Sequence, residues 1–316
     1  MLKKIKKYQT ATISKDELFR VVSQHFFDKF GHYPNLEFPE SYNEKIQWLK
    51  IHDQRPEHVV FCDKLLSRQY VARRVGSDVL LDIYKVADDP RLIFEADLPE
   101  RFFLKANHDS GSTFLVTPET DRKKLSKQLR KRLAKVYGTE KSEYGYQHIQ
   151  PLVYAEELMN GPIVDYKFHC SNGKVKWVQV ISDRQSGLPK EVNFNALGAP
   201  IELHLDHEMG RGNPDTVLPP NWNQLIEIAE KLSLEFKYAR VDLYNIDNIP
   251  KFGELTFWPK AGYYRTKDNL TFGKMLDFDT STKVESNLYS VDRCSIKATN
   301  SIRRKLSAHA ANLFKR

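Results

Sequence analysis

Two runs of alternating side chains within residues 238–263 constrain the fold of this chain more than any other part of its sequence. In the first run Arg240 and Asp242 alternate with apolar residues, so a strand places both on one face. In the second run Glu254 and Thr256 share a face in the same way. Because the segment between the runs is able to turn back, the sequence predicts an antiparallel pair on which these four side chains converge.

The acids of this predicted pair are of the type that holds a hard metal ion. Asp242, Glu254 and Thr256 offer oxygen ligands, and Mg²⁺ is commonly held by one or two carboxylates together with substrate phosphates. The pattern therefore favours a site for a nucleotide with Mg²⁺. The alternative is an ordinary hairpin whose polar face is solvated, which is the commoner fate of two acids twelve positions apart.

Length and composition indicate a chain able to form a packed core. The chain has 316 residues, of which 41% are hydrophobic and 12% are aromatic. This is enough to form one large domain or two modest ones. The apolar runs fall far short of the ~20 residues that span a bilayer, and no apolar segment follows the lysines within residues 1–7. Three widely separated cysteines, Cys62, Cys170 and Cys294, have no metal or redox spacing. We therefore expect a cytoplasmic protein without a signal peptide.

The formal charge of +8 lies partly at the two ends of the chain. Solvated ends on a protein that binds small anions are the favoured interpretation. Weak contact with an anionic membrane surface is the alternative, and it would make the protein membrane-peripheral. No Cys/His finger or RNP-like aromatic signature is present, so we expect no nucleic-acid partner.

Helical periodicity, caps and turn residues predict the order of the remaining elements. Gly76 is placed to end a helix that Asp63 begins, and Asn172-Gly173 is a strong hairpin turn that aligns Asp165 with Lys167. The segment after Phe102–Ala106, NHDSGSTF, is a small-residue loop able to close over phosphates through its amides, although it lacks the P-loop sequence. The predicted helices are 14–31, 38–53, 64–75, 123–136 and one starting after 219; the predicted strands are 79–86, 102–106, 114–116, one after 149, and the pair 165–180.

Several motifs in this order carry a resemblance to a known family. The chain has CDKLLSRQYV, FFLKANHDSGS, DYKFHCSNGK and ARVDLY followed by GELTFWPKAGY, preceded by FPESYNEKIQWL. Over residues 35–263 this series resembles the ATP-grasp superfamily, and in detail its teichuronopeptide-biosynthesis (TupA-like) branch. The resemblance implies an α+β ATP-grasp fold in which two α+β subdomains clamp ATP after a helical N-terminal region. The corresponding division is 1–62 N-terminal helices, 63–101 first part of the core, 102–157 lid subdomain, and 158–316 core with the metal-binding hairpin and tail.

The resemblance also implies a role for each matching residue. Lys64 and Lys105 would neutralise phosphates, beneath a mobile loop whose tip is Ser110, Gly111 and Ser112. Glu156 and Glu157 would lie at the adenine hinge, Asp165 at the ribose, and Lys167 near phosphate. Asp242, Glu254 and Thr256 would hold Mg²⁺, while Arg240, with Lys105, would stabilise the transferring phosphoryl group. The family commonly has Asn at the position of Thr256. A hydroxyl is a weaker metal ligand than an amide oxygen, so the sequence supports one Mg²⁺ more strongly than a second.

The implied reaction is ATP-dependent carboxylate–amine ligation through an acyl phosphate. Its products would be amides on a cell-surface polysaccharide, such as a capsule, or on its precursor, from a carboxylate-bearing saccharide and an amine such as an amino acid. The alternatives are a sugar kinase, a glycosyltransferase-like enzyme, or a saccharide-binding protein with a degenerate nucleotide fold. His204, His207 and Glu208 have poor spacing for zinc, and Asp183 with Arg184 could contact substrate or pair with each other.

Overall fold

The computed structural model describes residues 14–159, 163–183 and 187–281. Arg184 and the basic ends of the chain, on which some of the predictions fall, lie outside these residues. The helices are α1 Lys15–Phe30, α2 Tyr42–His52, α3 Glu57–Cys62, α4 Ser67–Val75, α5 Pro90–Phe94, α6 Arg122–Leu133, α7 Tyr144–Gln147, α8 Trp222–Ser233 and α9 Asn269–Met275, with a 3₁₀ turn at Pro259–Gly262. No helix in the described ranges is long and apolar enough to cross a membrane.

The described strands form two sheets, one antiparallel and one almost entirely antiparallel. They are β1 Ile83–Ala87, β2 Phe102–Ala106, β3 Thr113–Val116, β4 Val153–Glu156, β5 Asp165–Ser171, β6 Lys174–Ser182, β7 Lys190–Phe194, β8 Pro200–Ile201, β9 Gly210–Arg211, β10 Tyr238–Ile246 and β11 Ile249–Thr256. Within the described residues the small sheet has the order β1-β4-β2-β3, and the large sheet has the order β11-β10-β5-β6-β7-β8. Strand β9 pairs with β7 in parallel, and every other pair is antiparallel. The predicted α+β class is confirmed.

Local sequence signals explain where most helices begin and end. Ser14 accepts a hydrogen bond from the amide of Glu17 (3.1 Å), and Gly31 ends α1 in the left-handed conformation. Ser41 begins α2 with a complete capping box. In this box the Ser41 amide donates a hydrogen bond to the Glu44 carboxylate (3.0 Å). These caps satisfy backbone groups that a helix end would otherwise leave without partners.

Several predicted boundaries differ from the structure: the helix predicted over 38–53 is Tyr42–His52, the one predicted over 123–136 is Arg122–Leu133, and two further differences affect the site or its sheet. The helix predicted to run from Lys64 begins at Ser67, because the Asp63 carboxylate accepts from the Leu65 amide (2.9 Å) and folds the intervening residues into a turn. Lys64 therefore lies in a turn before α4. The strand predicted over 79–86 is shorter and later, Ile83–Ala87, and it pairs with β4 in the small sheet.

Each sheet buries one face under helices. The amphipathic helix α8 covers the large sheet with its buried residues Leu225, Ile228, Ala229 and Leu232. Helices α5 and α6 cover the small sheet, where Ile93 and Leu129 pack with Leu104 and Val153. The alternation of side chains along β2 places Lys105 on the opposite face of the small sheet from Leu104.

Candidate functional site

Strands β10 and β11 bring the four side chains of the predicted hairpin together. Asp242 lies opposite Glu254, and Arg240 lies opposite Thr256. The chain reverses at Asp247 and Asn248, whose φ values of 51° and 62° belong to a tight hairpin turn. The structure therefore places both acids and the arginine on one face of two adjacent strands, as the alternating pattern predicts.

Arg240 is the centre of the hydrogen bonds on this face. Its Nε donates to Asp242 Oδ1 (2.6 Å), and its terminal nitrogen donates to Asp242 Oδ2 (2.8 Å). The same nitrogen reaches Glu254 Oε1 (3.2 Å) and Thr256 Oγ1 (3.2 Å). A planar guanidinium with several donors is suited to hold two carboxylates in fixed positions. Arg240 thus sets the geometry of both predicted carboxylate ligands and also contacts Thr256, the third predicted ligand.

Lys167 supplies a second cation from the neighbouring strand β5. It lies opposite Asp242 in the register, and its ammonium donates a hydrogen bond to Asp242 Oδ2. Burial alone would raise the pKa of Asp242, but the charges of Arg240 and Lys167 outweigh burial and lower that pKa to about 2. Asp242, which is only 3% exposed, is therefore an anion throughout the physiological pH range.

Glu254 faces the loop of the small sheet across Lys64. The side chain of Glu254 is 32% exposed, its Oε1 accepts from Thr256 Oγ1 (3.2 Å), and its Oε2 lies 3.7 Å from Lys64 Nζ. Lys64 Nζ also donates to the carbonyl oxygen of Asp109 (2.6 Å). Lys64 therefore links the loop between β2 and β3 to the Glu254 carboxylate. Thr256 is bonded to Glu254 and Arg240, so in this arrangement it orients the acid.

The carboxylate of Asp109 fixes the loop between β2 and β3. Asp109, which is 5% exposed, accepts from Ser112 Oγ (2.5 Å) and from a terminal nitrogen of Arg132 in α6 (3.3 Å). The same Arg132 nitrogen donates to Ser112 Oγ (2.9 Å). Ser110 and Gly111 form the exposed tip, while Ser112 is buried. Gly111 has a φ of 83°, a conformation that favours glycine.

Lys105 lies beside a carboxylate and a further cation on the small sheet. Its ammonium donates to Glu156 Oε2, and the guanidinium of Arg68 lies 3.7 Å from Glu156 Oε1. Arg68 comes from α4, and the sequence reasoning missed it, because nothing in SRQYVARR distinguishes an inward arginine from a solvated one. Glu156 is thus a shared counter-ion for two cations.

Two further predicted residues lie at strand ends: Glu157 directly follows β4, and Asp165 begins β5. The amide of Glu157 donates to the carbonyl oxygen of Asp82 (2.9 Å), and the Asp82 amide donates to Glu157 Oε2 (3.0 Å). The Glu157 amide and carboxylate are therefore already bonded to the backbone of Asp82 in this structure. Asp165 begins β5, is 4% exposed, and shares a face with Lys167.

The donor set suits Mg²⁺ bound together with phosphates. The described residues contain no group of three or more His, Cys, Asp or Glu side chains arranged for a metal. Two carboxylates are sufficient where phosphates complete the coordination. Glu254 has the more accessible oxygen, whereas both oxygens of Asp242 are bonded to cations. The residues therefore fit Mg²⁺. Asp242 can bind the ion once the hydrogen bond from Lys167 to its Oδ2 is broken.

Two other predicted clusters have structural partners. The rings of His204 and His207 stack with centroids 4.9 Å apart, and Glu208 binds Lys260 (2.5 Å). Asp183 pairs with Lys190 (3.2 Å). These contacts tie loops together and do not form a metal site.

Most of this chain matches a known protein family. A family profile described as TupA-like ATP-grasp matches residues 44–298. Among solved structures, D-alanine–D-alanine ligase from Helicobacter pylori is 15% identical over 72% of this chain and 62% of that chain, with a TM-score of 0.44. An L-amino acid ligase from Bacillus licheniformis is 11% identical over 86% and 65%, with a TM-score of 0.45. The chain thus spans less than two thirds of either protein. No curated protein matches.

Proposed function

The chain belongs to the TupA-like ATP-grasp family, and we propose that it is an ATP-dependent ligase that joins a carboxylate to an amine through an acyl phosphate. The observation that carries this proposal is the facing pair of Asp242 and Glu254 around Arg240, directly across Lys64 from the glycine-containing loop. A phosphoryl group between loop and hairpin would meet cations and metal-binding carboxylates together.

The cations of the site support a ligand that carries phosphates. The ammonium groups of Lys64, Lys105 and Lys167 have carboxylate partners that are each shared with an arginine. These partners are Glu254, Glu156 and Asp242, and the arginines are Arg240 and Arg68. A lysine that shares its carboxylate in this way can turn to a phosphate oxygen instead.

Each residue then has a defined task in the proposed reaction. Asp242 and Glu254 would hold Mg²⁺, which neutralises charge on the phosphates when bound. Arg240 would stabilise the negative charge that develops on the transferring phosphoryl group, and Lys64 and Lys105 would orient the phosphates. The amides of Ser110 and Gly111 would cover the phosphates from above. The protein supplies position and charge, and no nucleophile of its own is required.

The carboxylate substrate that we propose is a saccharide with a carboxyl group, or its precursor, and the amine is one such as an amino acid. The family resemblance supports this choice. A kinase that phosphorylates a sugar hydroxyl would use the same phosphate site, so the experiment has to distinguish an acyl phosphate from a phosphorylated sugar.

Trapping with hydroxylamine tests the reaction type. The purified full chain is incubated with ATP, Mg²⁺ and hydroxylamine and with uronic acids, sugar nucleotides or amino acids in turn, while ADP and hydroxamate are measured. Ligase chemistry gives equal amounts of both products with at least one carboxylate. ADP with a phosphorylated sugar and no hydroxamate would support the kinase and overturn the ligase.

Glu254→Gln is the informative variant, and Asp247→Asn, an exposed acid in the turn of the same hairpin, is the matched control. We expect Glu254→Gln to reduce hydroxamate formation by about 100-fold or more, the usual size for loss of one electrostatic stabiliser. ATP with Mg²⁺ should raise the melting temperature of the wild type and of Asp247→Asn, but not of Glu254→Gln. Equal behaviour of the two variants would remove Glu254 from the metal site.

A further inference from the structure

Helix α6 presents a strongly basic surface that the proposed function does not use. The one acid that adjoins it, Asp121, caps the helix, because its carboxylate accepts a hydrogen bond from the Lys124 amide (2.9 Å). An ordinary solvated helix carries charges of both signs, so a helix that carries one sign needs an explanation. Residues 122–135 contain no acid and eight basic residues, Arg122, Lys123, Lys124, Lys127, Arg130, Lys131, Arg132 and Lys135.

Helical spacing places three of these lysines in one exposed row. Leu125 and Leu129 are buried beneath α6 in the core of the small sheet. At about 100° per residue, the opposite side of the helix carries Lys124, Lys127 and Lys131, and all three are exposed. Neighbours in this lysine row are three and four positions apart, so their Cβ atoms lie about 5–6 Å from each other. The row therefore extends about 10 Å along the helix.

The lysine row has no counter-charge within the described part of the chain. Neither its ammonium groups nor the exposed side chains of Lys123 and Arg130 beside it make a hydrogen bond or an ion pair with another described residue. Like charges three or four positions apart on a helix repel each other. Lys123 and Lys124 also lie in the first turn, where a cation opposes the helix dipole. These cations reduce the stability of the helix, and an anionic ligand would offset that loss.

The C-terminal end of the lysine row lies beside the loop between β2 and β3. Arg132 directly follows Lys131, and its terminal nitrogen donates to Asp109 Oδ2 (3.3 Å) and Ser112 Oγ (2.9 Å) in that loop. Lys64, which pairs with a carboxylate of the hairpin, donates to the carbonyl oxygen of Asp109 (2.6 Å). One series of contacts thus joins the end of the row to the hairpin. An extended ligand on the row would have one end close to the proposed phosphate site.

The surface of α6 favours a flexible anionic polymer over a membrane or a nucleic acid. Leu125 and Leu129 are 7% and 0% exposed, so the helix has no apolar face left to enter a bilayer interface. It also has no aromatic side chain on which unpaired bases could stack. A single row of cations, one helix wide, matches a single extended chain that carries anions along its length.

We propose that the lysine row binds a polymer of carboxylate-bearing sugars, so that the carboxylate substrate is the end of a polyanionic chain and not a single sugar. This inference rests on the proposed ligase function and names the form of its first substrate. Each lysine is a point charge on a flexible stem, so it can follow a carboxylate without a fixed pocket. Several weak contacts on one chain give the polymer a higher affinity than the single sugar.

Binding of polygalacturonate, a polymer of a uronic acid, tests the lysine row without turnover. The row variant combines Lys124→Gln, Lys127→Gln and Lys131→Gln. The matched control removes the same net charge at three exposed lysines outside α6, through Lys231→Gln, Lys267→Gln and Lys274→Gln. In calorimetry on the full chain at about 50 mM salt, we expect the affinity to fall at least about 10-fold in the row variant and less than about 3-fold in the control. Added salt should weaken binding to the wild type more than binding to the row variant, because the wild type releases more counterions.

Turnover with hydroxylamine separates the lysine row from the reaction itself. For a uronic acid that gives hydroxamate, the KM for its polymer should rise at least about 10-fold in the row variant, while the KM for the monomer stays within about 3-fold.

Several outcomes would overturn the inference. They are equal weakening of polygalacturonate binding by both variants, no binding to the wild type, and tighter binding of duplex DNA or phosphatidylglycerol vesicles through the row. Absence of hydroxamate from the wild type with every carboxylate would instead contradict the proposed function, and the binding measurement would still decide on the row. Melting temperatures verify folding, and the row variant should melt no lower than the control, because it removes charges that repel each other.

Discussion

Substitution of Asp242 by Asn tests the electrostatic account of the hairpin through stability alone. The change preserves size and removes the charge that Arg240 and Lys167 share, while both cations stay buried at 8% exposure. A pKa lowered from its ordinary value to about 2 corresponds to about 2 kcal/mol in favour of the charged carboxylate. Leaving buried cations without their partner costs about 3–5 kcal/mol in comparable cases. We therefore expect the free energy of unfolding at pH 7 to fall by about 2–4 kcal/mol.

The pH dependence of this effect has a definite sign. The folded-state pKa of Asp242 is lower than the unfolded one, so its contribution is present above about pH 4, the unfolded-state pKa. It is lost as the pH falls from there through about 2. The difference between the wild type and Asp242→Asn should therefore be constant from pH 7 to about pH 5 and decrease only below about pH 4.

Urea unfolding followed by tryptophan fluorescence measures the change, because Trp177, Trp222 and Trp258 all belong to the core of the large sheet. Asp277→Asn is the matched control, since Asp277 pairs with Lys176 (2.6 Å) at the surface with 55% of its side chain exposed. We expect the control to lose less than about 1 kcal/mol. Equal losses in the two variants, or a more stable Asp242→Asn, would refute the reasoning.

Two further predictions concern the backbone that supports the site. Gly262→Ala should destabilise the protein by about 2–4 kcal/mol, because φ is +70° and a Cβ would lie 2.6 Å from Gln47 Nε2. Gly31→Ala, with a φ of +77° and no atom within 4 Å, should lose only about 1 kcal/mol, and equal melting temperatures would contradict the steric argument. Ser41→Ala removes the capping box with Glu44 and should cost about 1 kcal/mol in urea unfolding; an unchanged midpoint would show that tertiary packing alone fixes the start of α2.

The sequence was sufficient for features that depend on local periodicity. The alternation around Arg240 and Asp242 predicts a strand, and the turn at Asn172-Gly173, with φ values of 51° and 73°, is predictable from its two residues. The register of the hairpin is not predictable in this way. The turn at Asp247-Asn248 alone would oppose Asp242 to Gly253, and a shift of one residue between Asp242 and Leu243 brings Glu254 opposite Asp242.

Partners that are distant in sequence were beyond such reasoning. Asp242 and Lys167 are separated by 75 positions, and only the pairing of β10 with β5 makes them neighbours. Arg68 and Glu143 resemble ordinary surface residues in the sequence, and packing alone turns them inward. Lys64 was misplaced in a helix, because the Asp63 carboxylate folds the following residues into a turn that helical periodicity does not reveal.

Under the proposed function, the internal ion pairs of the site would let it remain folded without substrates and still bind them. Asp242 pairs with both Arg240 and Lys167, and Glu156 pairs with both Lys105 and Arg68, so each cation of these two groups has a carboxylate partner. Phosphates would compete with the carboxylates for the lysines, and Mg²⁺ would compete with the lysines for the carboxylates. Because each released group finds a partner of opposite charge in the incoming ligand, the exchange avoids the cost of an uncompensated buried charge. Under the proposed function, nucleotide and metal would therefore bind more favourably together than alone, since either one alone would leave part of the cluster unbalanced.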